Sequence, residues 1–170
     1  MNKMIIVVCL ILVFAGHLNA TEIKIPAGTR MEGVIINGIY AVQSNPNPFF
    51  AIRASRNPVA VGGNEIPIKD CLVLGDVLAD LTVKRAFFKA TKIICSNSKE
   101  PNGIRINGYA IDSEDNKLGI NGILDSPKAS APPGAAPGSA AVEVAPRFLE
   151  VEPGKKVFLL ITEGVSITIK

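Results

Sequence analysis

The stretch from Cys71 to Cys95 constrains the fold more than any other part of the chain. It reads Cys-Leu-Val-Leu-Gly-Asp-Val-Leu-Ala-Asp-Leu-Thr-Val-Lys-Arg-Ala-Phe-Phe-Lys-Ala-Thr-Lys-Ile-Ile-Cys. Two cysteines bracket an apolar turn region followed by a run rich in β-branched and aromatic residues. A bridge between them closes a loop of about 25 residues, which the chain-entropy treatment values at roughly 3.5 kcal/mol. Such a bridge requires an oxidising compartment.

The first twenty residues supply the route to one. Lys3 is a short positive start, Met4 to Ala15 is an almost unbroken apolar run, and Gly16 to Ala20 ends it. That order describes a secretory signal peptide over residues 1–20, cleaved after Ala20. The alternative is a retained anchor, for which the apolar run is short of the roughly 20 residues a spanning helix needs. Cleavage removes Cys9 and His17, the only histidine, and leaves Cys71 and Cys95. An even cysteine count in an exported chain favours one disulfide over two thiols.

About 150 residues then remain, enough for one domain with its own core. Lys and Arg are scattered singly or in pairs and the net charge is only +3, so no nucleic-acid footprint is evident. Fifteen Gly and twelve Pro break the chain into short runs. Thr21 to Ile25 alternates as a half-buried strand, and Pro26 to Thr29 is a turn. Met31 to Val42 reads either as a hairpin through Asn37-Gly38 or as one long bent strand with bulges at Gly33 and Gly38. Ser44 to Pro48 is a loop whose prolines argue against a central strand, and Phe49 to Ala54 is a short strand.

Within the cysteine segment, Leu72 to Leu81 is expected as a short helical turn or tight loop, and Thr82 to Cys95 as a long strand. Lys84, Arg85, Lys89 and Lys92 interrupt that strand on both faces. Ile104 to Ile111 is a strand broken at Asn107-Gly108, residues 112–116 are a charged solvated turn, and Leu118 to Leu124 returns. Residues 104–108 and 118–122 are expected to pair antiparallel. Pro127 to Pro146 is a Pro/Ala/Gly-rich linker. Phe148 to Val151, Val157 to Ile161 and Val165 to Ile169 are closing strands, the middle one buried on both faces.

The expected class is therefore all-β: a small barrel or sandwich of short antiparallel strands with a linker before the last ones. The domain plan is a signal over 1–20, a β-body over 21–126, a linker over 127–146 and completing strands over 147–170.

Chemistry is sparse. Asp112, Glu114 and Asn116 alternate like calcium-loop ligands, but Lys117 stands where glycine is needed and Ile123 where the distal acid belongs. Two cysteines without a mature histidine make no zinc site, and no Ser-His-Asp or Cys-His set is available. Asp76 and Asp80 read as turn caps. No catalytic residue, metal, cofactor or small-molecule substrate is expected. Lys84, Arg85, Lys89 and Lys92 form a candidate partner-facing basic strand, weighed against a solvated strand face.

Four features in sequence order resemble the C-terminal β-barrel domain of the TraB family of conjugal-transfer proteins. They are Ile25-Pro26-Ala27-Gly28-Thr29 and the cysteine pair around Gly75-Asp76, then Ile106-Asn107-Gly108-Tyr109 with Gly119-Ile120-Asn121-Gly122, and Pro153-Gly154-Lys155-Lys156-Val157. Together they cover most of residues 23–165. The resemblance implies a ring-forming scaffold in the outer-membrane core of a type IV secretion system. Its partners would be copies of itself, an outer-membrane lipoprotein and a secretin-like subunit, in the periplasm of a Gram-negative bacterium. Family members precede the barrel with an inner-membrane helix and a periplasmic arm, where this chain has a signal peptide. They also insert a membrane-crossing helical hairpin where this chain has its Pro/Ala-rich linker. The alternative is a secreted β-sandwich binding module for an envelope component.

Overall fold

A computed structural model of the chain describes residues 21–42, 47–60, 62–125 and 148–169. The expected signal peptide and the whole of the expected linker lie outside the described residues. Twelve strands and no helix occur among those described: β1 (Thr21–Ile25), β2 (Arg30–Ile35), β3 (Ile39–Val42), β4 (Asn47–Ala54), β5 (Leu72–Asp80), β6 (Arg85–Ile94), β7 (Ile104–Asp112), β8 (Ile120–Asn121), β9 (Ile123–Asp125), β10 (Phe148–Val151), β11 (Lys156–Ile161) and β12 (Val165–Ile169). The all-β expectation holds, and the barrel is the form adopted.

Six strands close the barrel in the order β5-β4-β2-β11-β7-β6, with β6 returning to β5 and every neighbour antiparallel. Closure leaves these six without a free edge, which removes the usual hazard of edge-to-edge pairing. The inward faces follow the period-two pattern: Met31 and Ile35, Phe50 and Ile52, Val73 and Val77, Phe88 and Ile93, Ile106, and Val157, Leu159 and Ile161 are all buried in one cluster. A six-stranded barrel is narrow, and Ala54, Ala79, Ala86, Ala90 and Ala110 make room on the inside for the rings of Phe50 and Phe88. Those rings meet edge to face at 4.9 Å.

One ribbon threads the whole molecule. β1 pairs with β12, β2 with β11 and β3 with β10, and the paired residue numbers always add to 190 (21 and 169, 34 and 156, 42 and 148). Residues 21–42 thus run beside 148–169 without a slip in register. The ribbon folds over both barrel ends, where Ile23, Ile25 and Ile167 plug one mouth and Ile39, Ala41, Leu149 and Val151 the other. The first fold is a turn: the Thr29 N–H bonds the Pro26 carbonyl, and Gly28 takes φ +84 as the third residue of such a turn demands. Asn37-Gly38 makes the second fold. β2 and β3 do not pair with each other, so the hairpin reading is not adopted; the run bends between two separate strands at residues 36–38, and Gly33 pairs regularly with Val157 and Ala54 without a bulge.

Several local expectations are corrected. Leu72 to Leu81 is neither helical turn nor loop: Leu72–Asp80 is strand β5, and the segment between the cysteines is a β5–β6 hairpin turning at residues 81–84. Its burial alternates along the strand because β4 and β6 pair on either side of it, which composition does not reveal. Gly75-Asp76 is therefore mid-strand and not a turn, and Asp76 caps nothing; Asp80 does cap, accepting the N–H groups of Thr82 and Val83. β7 continues unbroken through Asn107-Gly108. β4 begins at Asn47, so Pro48 falls inside a barrel strand; a register shift between Asn47 and Phe50 places it in a bulge. Residues 118–122 do not run back along 104–108: β8 pairs with β6 and β9 with β10. β11 is fully buried only on its inner face, because Phe158 and Leu160 are half-buried on the outside.

The expected disulfide is present. Cys71 and Cys95 stand at the open end of the β5–β6 hairpin with Cα atoms 4.4 Å apart and both side chains buried. A bridge of this kind fits an oxidising, extracytoplasmic compartment.

Candidate functional site: the outer wall over β5, β6 and β7

The sequence places the cations of β6 on both faces, and the structure places them on one. Strict alternation from Arg85 would turn Lys92 inward and Ile93 outward. Thr91 prevents this. Opposite β5, Leu74 pairs with Lys92 and Gly75 with Ala90, so Thr91 is an extra residue, and its hydroxyl bonds the Leu74 carbonyl at 3.3 Å. The bulge shifts the phase by one. Lys92 then faces outward with Lys89, and Ile93 is buried.

Of the four sequence candidates, only Lys89 and Lys92 sit together as an open basic surface. Lys84 lies in the turn before β6 with φ +55 and is exposed there. Arg85 is occupied inside the molecule: it donates to the carbonyls of Gly119 (2.8 Å) and Leu118 (3.3 Å) and pairs with Asp115. The Lys117 N–H above all, with Arg85 beside it, holds the Asp115 carboxyl below its ordinary value, against a smaller upward push from burial. Arg85 therefore ties the 113–119 turn to the barrel wall. In place of Lys84 and Arg85, the wall gains Arg105, directly opposite Lys92, and Tyr109, directly opposite Lys89. Both are exposed. The β7 alternation, with Ile106, Gly108 and Ala110 inward, was the signal that could have found them.

Beside this wall lies an apolar patch. Of eight large apolar side chains left exposed among the described residues, four surround the tip of the β5–β6 hairpin: Leu78 (49%), Val83 (53%), Leu118 (52%) and Ile123 (62%). Leu78 pairs across the ladder with half-buried Phe87. The Phe87 ring lies against Gly119, next to Leu118. The Gly122 N–H bonds the Lys84 carbonyl and brings Ile123 to the same end. Apolar side chains gathered in one place mark association surfaces, whereas the same residues scattered need no explanation.

A buried ion pair holds this end in shape. Asp112 is fully buried at the end of β7. Its carboxylate accepts the N–H groups of Glu114 (2.9 Å) and Asn121 (2.8 Å) and meets the Lys155 ammonium at 3.0 Å. Burial pushes its carboxyl up, but the two backbone donors and Lys155 together outweigh that and leave it below the ordinary carboxylate value. The expected solvated turn is therefore anchored by a buried charge. No group of three or more His, Cys, Asp or Glu among the described residues is placed to hold a metal ion.

A second concavity lies where the 55–70 excursion stands off β2 and β11. It encloses about 780 Å³ and is lined by Arg30, Glu32, Arg56, Val59, Lys69 and Phe158, among others. The Arg30 guanidinium stacks 3.6 Å above the Phe158 ring, and Arg56 pairs with Glu32.

The fold and surface together define a class: a small closed antiparallel barrel, plugged at both ends, pinned by one disulfide and carrying a mixed basic and apolar outer wall. No family model matches the chain, and no curated protein matches it.

Proposed function

We propose that the chain is a structural subunit of an envelope assembly, a TraB-like barrel of a type IV secretion core in the periplasm at the outer membrane. It associates with copies of itself and with lipoprotein and secretin-like subunits. The apolar patch at the β5–β6 tip carries this reading, because four half-exposed aliphatic side chains beside a half-buried ring lose water only when a partner covers them. The disulfide and the motif order along residues 23–165 support it.

Sedimentation velocity on residues 21–170 tests the proposal. The protein is expected to run above monomer mass at tens of micromolar, and Leu78→Asp with Leu118→Asp to run as monomer with an unchanged melting temperature. A wild-type chain that stays monomeric, and retains no lipoprotein or secretin-like subunit on pull-down, ends it.

One observation favours the second reading, a secreted binding module for an envelope component. The groove over Phe158 holds two cations, Arg30 and Lys69, that make no ion pair with a described residue. Loss of ligand retention on Arg30→Ala, with assembly intact, would decide for it.

A further inference from the structure

We infer that the basic wall of one copy, Lys89, Lys92 and Arg105, docks on an acid-lined hollow beside β10 of a second copy. The inference rests on the scaffold reading and adds the surfaces that meet. Lys92 and Arg105 are directly opposed across the β6–β7 ladder. Like charges so placed are destabilising in an isolated sheet. No described acidic group lies within ion-pair distance of Lys89, Lys92 or Arg105, although Asp76 is opposite Lys89 on the β5 side. The Thr91 bulge is what brings Lys92 into this array, and bulges that re-aim a side chain commonly serve a site. An arrangement that costs the monomer is explained if an anionic surface covers it.

The chain itself carries one. A hollow of about 510 Å³ is lined by Glu114, Glu150 and Glu152 with Ile123, Pro153 and Lys155. Lys155 pairs with buried Asp112 at 3.0 Å and with Glu114 at 3.6 Å, so one ammonium is shared among the carboxylates at this end and the hollow keeps a net negative charge. Glu152 is exposed and makes no ion pair with a described residue. A concave acidic surface suits the long, protruding side chains of lysine and arginine. No ion pair joins the two surfaces within one copy. Arg85, at the hollow's end of β6, is four ladder steps from Lys89 and six from Lys92 once the bulged Thr91 is left out, or about 13 and 20 Å at 3.3 Å per step. Ile123 on the rim of the hollow also belongs to the apolar patch, so one contact covers both.

Reciprocal charge reversal tests this on residues 21–170. Lys92→Glu with Arg105→Glu reverses the wall, and Glu114→Lys with Glu152→Lys reverses the hollow. Glu150 is left alone because it accepts the Tyr40 hydroxyl. Each reversed chain alone is expected to associate at least tenfold more weakly than wild type. An equimolar mixture is expected to regain wild-type association, since either reversed surface then finds its complement. Melting curves of each variant check that the barrel is intact. Failure of the mixture to regain association, or reversed chains that assemble like wild type, overturns the docking but leaves the scaffold reading standing. A wild-type chain that never assembles overturns both.

Discussion

At the scale of single residues, two positions carry more of the structure than their types suggest. Gly75 faces inward, opposite Phe50 on β4, with the Phe88 ring across its α-carbon. A methyl group there would collide with the Lys89 carbonyl oxygen and lie 2.7 Å from the ring. Gly75→Ala is therefore expected to cost at least about 2 kcal/mol in urea unfolding, as overpacking of a tight core does. Asp112 is the second. Its carboxyl titrates below the unfolded value, so the unfolded chain takes up the proton first. The stability it contributes is complete above roughly pH 4 and is lost as pH falls through the lower folded value. Asp112→Asn leaves Lys155 only the more distant Glu114 as a charge partner and is expected to cost roughly 3 kcal/mol. It should also flatten the acid limb of the unfolding profile. A variant as stable as wild type at pH 7, with the same acid limb, would remove Asp112 from this role.

At the scale of elements, the β5–β6 hairpin is the centre of the fold. The disulfide ties its open end, Arg85 ties its tip to the 113–119 turn, and the Thr91 bulge sets its phase. Replacing both cysteines by alanine is expected to lower stability by about 3.5 kcal/mol, read as the shift in unfolding free energy; wild type in reductant should fall by the same amount. Deleting Thr91 removes the extra residue opposite β5 and keeps Lys92 outward and Ile93 inward by strict alternation, so Lys92 is expected to stay on the basic wall and the core to stay apolar. The strand tendency of this hairpin was legible in its Val, Phe and Ile content for β6 but not for β5. Leu, Ala, Gly and Asp dominate Leu72–Asp80, and only the alternating burial imposed by two neighbouring strands makes that run extended.

At the scale of the whole molecule, the unbroken ribbon organises everything else. Residues 21–42 and 148–169 form a clasp that includes two barrel staves and the plugs of both mouths, and the remaining four staves fall between them in sequence. Asp125 and Phe148 are cross-strand partners in the β9–β10 pair, so a short turn can join them. Replacing residues 126–147 by about four Gly/Asn residues is expected to leave the barrel folded. It should stabilise the barrel by roughly 1 kcal/mol, the gain from closing a shorter loop. A large loss of melting temperature would mean that the excised residues belong to the core.

What the residues alone determined is what depends on near neighbours. The alternation of Ile23 and Ile25, the turn at Pro26 to Thr29, the even cysteine count and the frequent Gly and Pro predict short antiparallel strands around one bridge, and the structure has them. What only the tertiary structure decided is which strand each run meets. Residues 118–122 match 104–108 in pattern yet pair with β6 and bridge only to Ile111 of β7, because a period-two run fits any complementary neighbour and the closure of the barrel selects one. The face on which Lys92 appears was undetermined for the same reason. A bulge leaves no mark in composition, and it exists because two registers, one to β5 and one to β7, must both be satisfied by the same strand.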